Sequence, residues 1–247
     1  MPSEMSFYMT LKQHEEYTSF LELLENDYCD LLSPTLGKNG KYKAGLGERN
    51  KNLRLFDNYN YTAYVPTNAS IAKLQGDKIL PTADELEMGD ENDEILDSIC
   101  RAEGWYGELT TEKDLTARRE EVKTIVKGIV TDFIRYHIHD NSVALGMAMA
   151  TDGDNKYESM KRNLATGRFT PLTVVSTPTQ MTITDEVGNT RNVVTTEGLY
   201  NNLCREYWFD GTRQFMASDV VVHLIDGPLF YENLKPWREI VKESLKL

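Results

Sequence analysis

The chain has 247 residues, 40% of them hydrophobic and 10% aromatic, enough to bury a sizeable core and to exclude wholesale disorder. Its 39 acidic residues outnumber 27 basic ones, for a formal charge of −12, which repels phosphate backbones and anionic lipid. Cys29, Cys100 and Cys204 lie far apart in no zinc-like spacing, so neither a disulfide scaffold nor a metal cofactor is expected.

No apolar run approaches the ~18 residues of a membrane span, and Met1-Pro2-Ser3-Glu4 is not a secretory signal. Residues 1–16 read as a lead-in, in which Phe7 to Leu11 suggest a short helix. From Tyr17 to Leu32 apolar residues recur at helical spacing, predicting one amphipathic helix. Ser33 to Asn52 loses periodicity and reads as a long Gly/Lys-rich loop. Tyr61 to Val65 predicts a buried strand that Pro66 stops. Thr67 or Asn68 then caps a helix carrying Ile71 and Leu74.

The stretch 76–119 reads as an acidic insertion. Thr82 and Glu85 match a capping box, and Asp90–Glu94 precedes a second short helix bearing Ile95, Leu96 and Ile99. Trp105 and Tyr106 follow beside two glycines and are candidates for a binding patch. Leu115 to Ile134 is the cleanest amphipathic helix in the chain and runs into Tyr136-His137. Strands are predicted over 142–149, 172–176, 180–184, 192–196 and 220–225, with a hairpin at Asp185–Asn189. Residues 233–247 predict a terminal helix with Pro236 in its first turn.

Three segments resemble the fasciclin-type (FAS1) family. Thr62-Ala63-Tyr64-Val65-Pro66-Thr67-Asn68-Ala69-Ser70-Ile71 resembles the family's first box and Ile134-Arg135-Tyr136-His137-Ile138 its Tyr-His element. Ala217 to Leu229, with Val220-Val221-Val222-His223-Leu224-Ile225-Asp226, resembles its closing box, although Ser218-Asp219 stands where Asn-Gly is usual. The resemblance implies an α+β fold, a twisted antiparallel β-wedge or sandwich with helices at one side. It spans a single domain over 17–232 with insertions at 33–52 and 76–119. It implies an extracellular or envelope adhesion module, without catalysis, whose export signal is missing from this chain, and the undisulfided composition leans towards a bacterial envelope. Its partner would be a protein or glycan on a cell surface or matrix. Tyr136 and His137 become candidate binding residues. Pro66, Thr67, Asn68, His223 and Asp226 become structural motif residues.

Two rivals come from the residues. One is a hydrolase or lyase using His137, His139 or His223; His137 and His139 would alternate on one strand and face the same side. The other is a glycan-binding scaffold using Trp105, Tyr106, Tyr207 and Trp208. Gly45–Asn50 lacks the third glycine of a dinucleotide loop, and Asp152-Gly153-Asp154 lacks the later ligands of a calcium loop.

Overall fold

The computed structural model describes residues 6–26, 29, 31–34, 51–53, 60–86, 94–149, 155–209 and 214–247. Two helices open the chain: α1 (Phe7–Lys12), capped by Ser6, and α2 (Thr18–Glu25) after a 3-10 turn. The predicted Tyr17–Leu32 helix is therefore too long. Asn26 takes an extended conformation and ends α2, and Leu32 lies instead in β1 (Leu32–Pro34). That strand pairs with β2 (Lys51–Leu53), so the ends of the Ser33–Asn52 loop form a two-stranded ribbon; residues 35–50 lie outside the described segments.

The organising strand is β3 (Tyr61–Pro66), followed by α3 (Asn68–Gly76). Then come α4 (Ala83–Leu86), α5 (Glu94–Ala102) and the 25-residue α6 (Glu112–Tyr136). Thr82 and Glu85 make the expected reciprocal capping bonds at 3.2 and 2.9 Å. The run 87–93, with most of the acidic stretch Asp90–Glu94, lies outside the described residues. After α6 come β4 (Ile138–Asp140), β5 (Lys156–Arg162), β6 (Phe169–Ser176), β7 (Met181–Thr184), β8 (Thr190–Asn192), β9 (Asn202–Phe209), β10 (Gln214–Ile225) and α7 (Trp237–Ser244).

Among the described residues β3 to β10 form one sheet in the order β8-β7-β6-β5-β4-β3-β10-β9. Every pairing is antiparallel except β10 with β3, where Val220 lies beside Tyr61 and Ile225 beside Pro66. The near-continuous apolar run of β10 fits this position between two strands. The sheet curls until Val193, just past β8, bridges to Ile225 at the end of β10. The fold is α+β.

Pleating divides the interior in two. Tyr61, Ala63 and Val65 of β3, with Val220, Val222 and Leu224 of β10, face the helices and pack with Val122, Val126, Val130 and Phe133 of α6. Tyr64 and Ile225 point the other way, into a second core closed by Leu172, Val174, Met181 and Ile183 of the curled half. Phe7, Tyr8 and Leu11 of the lead-in, and Trp237 and Val241 of α7, are buried in the helix-side core. Both terminal segments thus share the core of the central region. Across 76–119, Leu80, Leu86, Leu96, Cys100 and Leu115 are buried there too. This insertion builds part of the helical layer.

The segment 142–149 is not a strand. Its alternation of Val143, Leu145, Met147 and Met149 is strand-like, but side chains satisfy its backbone. Asn201 accepts from Leu145 N–H and donates to Leu145 O, and His223 donates to Val143 O. Pro236 stands at the N-cap of α7, one position ahead of the helix, where its fixed φ and missing N–H cost nothing.

Candidate functional site

The three segments that carry the family resemblance meet at one junction. The end of α6 delivers His137 to the helix C-cap, with its backbone in a turn conformation (φ −87, ψ 7). It is not on a strand, so the expected alternation with His139 is overturned: the two rings lie in different surroundings. His137 packs against Phe133 and Phe20, with ring centroids 4.4 and 6.3 Å away. His139, on β4, stacks on Tyr157 at 4.5 Å.

Hydrogen bonding fixes the state of each buried ring. Leu229 N–H can only donate, so His137 Nε2 accepts it at 3.0 Å, and Nδ1–H donates to Phe133 O at 2.8 Å. His137 O also accepts from Tyr64 N–H at 2.8 Å, which ties the Tyr-His element to the first box as well as to the closing one. In His223, Nδ1 accepts from Asn201 N–H at 3.3 Å and Nε2–H donates to Val143 O at 2.9 Å. His139 Nδ1–H donates to Asp140 O, leaving Nε2 to accept from the Tyr64 hydroxyl at 2.8 Å.

All three imidazoles are buried. Desolvation of the charged form is the first cause that lowers each pKa, to about 4, so each ring is neutral at pH 7. Every ring lone pair is already spent on a protein donor, leaving none for a metal or a substrate proton. Among the described residues no group of three or more His, Cys, Asp or Glu side chains is placed to hold a metal ion. Nor is any helix among them long and apolar enough to cross a membrane.

Tyr136 closes the junction on its other side. Its hydroxyl accepts from Glu186 N–H at 2.7 Å, and its ring meets Tyr231 edge-on at 5.2 Å. Asp185 secures the adjoining hairpin by accepting from Asn189 N–H and Phe230 N–H, both at 2.8 Å. Asp226 lies just past the end of β10 and is exposed, its carboxylate accepting from Asn192 N–H and from the Asn192 side-chain amide at 3.0 and 2.9 Å. Tyr64, Asn201 and Asp185 were not singled out from the sequence. Only the polar character of Tyr64 inside a buried strand hinted that a partner was needed.

At the strand–helix corner Thr67 is the cap, accepting from Ser70 N–H at 3.3 Å, and Pro66 is the last residue of β3. Asn68 is already the first helical residue. It reaches out to α2, accepting from Ser19 N–H at 3.0 Å and donating to Glu15 O at 2.7 Å.

The insertion aromatics are also internal. Trp105, 1% exposed, meets Trp237 edge-on at 5.9 Å. Tyr106 donates to Asp97 at 2.6 Å and accepts from the buried Arg119 at 3.1 Å. The structure therefore buries Tyr136, His137, Trp105 and Tyr106. Tyr207 and Trp208 lie on β9, with side chains outside the described set. No protein-family model and no curated protein matches the chain.

Proposed function

We propose that the chain is a non-catalytic binding module of fasciclin-like (FAS1) type, working at an extracellular or envelope surface of bacterial kind on a protein or glycan partner. The observation that carries this reading is the junction at His137. Three segments chosen for their family likeness, far apart in sequence, converge there through the bonds to Tyr64 and Leu229. The curled sheet with its helical layer supports the β-wedge architecture within the same proposal, with the insertions at 33–52 and 76–119 as departures from it. The histidine chemistry weighs against the hydrolase or lyase alternative, because a general base needs a lone pair that reaches substrate.

Adherence tests the proposal. The purified chain, immobilised on beads, is offered to bacterial and host cells, matrix proteins and a glycan array, with hydrolase substrates assayed in parallel. Saturable adherence without turnover is expected. Turnover that disappears on substituting His139 or His223, in variants that still fold, would overturn it.

A further inference from the structure

One side of α6 borders an open groove at mid-length. Ile125, Gly128, Ile129 and Asp132 fall at i, i+3, i+4 and i+7, a single stripe that faces a groove of about 370 Å³. The opposite wall comes from the β5–β6 hairpin, from residues 231–233 and from Ile240 of α7. Gly128 forms an open stretch of floor: a Cβ added there meets no atom within 4 Å.

The charges in the groove are arranged unevenly. Lys161 has its ammonium over the Tyr231 ring, 4.4 Å from the centroid, and Arg162 lies over Phe169 at 4.7 Å. Both cations are thus engaged with aromatic faces. Asp132, half-buried, has no hydrogen bond or ion pair among the described residues. Glu186 and Glu232 add two further carboxylates to the lining. Burial raises the Asp132 carboxyl above its ordinary range, against the pull of Lys161 and Arg135. Solvent reaches the Asp132 carboxylate, and a cation supplied from outside can replace that water with a charge-assisted bond.

We propose that this groove receives one basic side chain, a lysine or arginine borne on an exposed segment of a partner protein, with its alkyl stem along Ile125, Ile129 and Ile240 and its charged head on Asp132. The apolar stripe suits a methylene stem, as long basic side chains lie along apolar surface with the head at a polar group. The chain's net charge of −12 attracts a cationic partner over distance. Leu164, at the hairpin tip on the groove rim, is 94% exposed. An apolar residue in that place favours a protein segment, which can cover it, over a small free amine. The inference deepens the binding-module reading and rests on it.

The probe is Nα-acetyl-lysine N-methylamide, titrated into the full chain while amide NMR shifts are followed, with the Nε-acetylated form as control. The charged probe should shift the amides of residues 125–132 and the neutral one should not. Asp132→Asn should weaken binding by roughly tenfold, the scale of a lost charge-assisted bond. Gly128→Leu, which replaces a helical glycine and fills the groove, should abolish binding with thermal stability equal to or above the parent. Equal binding of the neutral probe, parent-like binding by both variants, or no shift at all would overturn the proposal. Adherence separates the two readings. If parent and Gly128→Leu adhere to cells equally, the groove assignment fails and the module reading stands. If the lysine probe binds but no surface is adhered to, the groove stands and the module reading falls.

Discussion

Leu229 N–H donates to His137 Nε2 at 3.0 Å, joining the last turn of α6 to the segment just beyond β10. An imidazole is well suited to this place. It presents an acceptor to Leu229 and a donor to Phe133 O on opposite sides of one rigid ring, and it fills the space against Phe20 and Phe133.

His137→Ala leaves a buried donor and a buried acceptor unpaired and should destabilise the fold by about 1–3 kcal/mol, read from urea unfolding at neutral pH. His137→Gln, which keeps a donor and an acceptor, should recover part of the loss. Unchanged stability with lost adherence would instead make His137 a contact residue.

The buried titratable groups set a pH dependence whose sign is fixed. His137, His139 and His223 have folded pKa values of about 4 against an ordinary 6.5, so their contribution is complete above 6.5 and is lost as pH falls through 4. Glu206, buried where its carboxylate accepts from Leu53 N–H, is pushed by burial up to about 7 from 4.5. The folded state favours its protonated form, so its contribution is complete below 4.5 and is lost as pH rises through 7. Burial also raises the carboxyls of Asp132 and Asp140, which act in the same sense as Glu206; with the three fully buried histidines dominating, melting temperature should climb between pH 4 and 6.5 and then flatten. Glu206→Gln should steepen the climb and remove any decline between 6.5 and 7.5. A profile that falls from pH 4 to 6.5 would contradict the assignment.

Thr67 and Asn68 should separate by substitution. Thr67→Ala removes the cap of α3 and should cost about 0.5–2 kcal/mol. Asn68→Ala keeps the cap but frees Ser19 N–H and Glu15 O. Hydrogen exchange should therefore accelerate in Thr18–Glu25 while α3 keeps its protection. Faster exchange in α3 after the Asn68 change would show that Asn68 also holds the helix start.

Arg119, 6% exposed, binds Asp97, Tyr106, Glu112 and Thr116. It ties α5, the Trp105–Tyr106 turn and the start of α6 together, beside the Tyr106–Asp97 and Arg118–Trp105 bonds. Arg119→Met should leave the sheet folded and loosen this corner, so the buried thiol of Cys100 should react with a disulfide reagent faster than Cys29 or Cys204. Equal reactivity of all three would mean that the corner opens only with the whole fold.

Legibility in the sequence followed the simplicity of the physical signal. The long stripe of α6, the glycine of the Asp185–Asn189 hairpin and the apolar run of β10 each pointed to one structure, and each is found near its expected place. β5 was missed because Lys156-Tyr157-Glu158-Ser159-Met160-Lys161-Arg162 has Ser159 as its one fully buried residue and little alternation. Leu31 and Leu32 kept a helical spacing beyond Asn26, but spacing says nothing about where the backbone turns. Trp105 looked like a surface aromatic but is internal, because Trp105 and Trp237, remote in sequence, pack on each other. The groove was invisible for a related reason: its stripe on α6 looks like core until the far wall is known.

The parallel pairing of β3 with β10 also decides when this chain can finish folding. The two strands are separated by most of the molecule, and a ribosome takes on the order of ten seconds or more to make the sequence between them. Over that interval α6 and β4 can close one flank of β3, while its other edge waits for residues 220–225. The nascent protein therefore carries an open, apolar edge at what will become the middle of its sheet, a surface that a second nascent chain or a chaperone can occupy first.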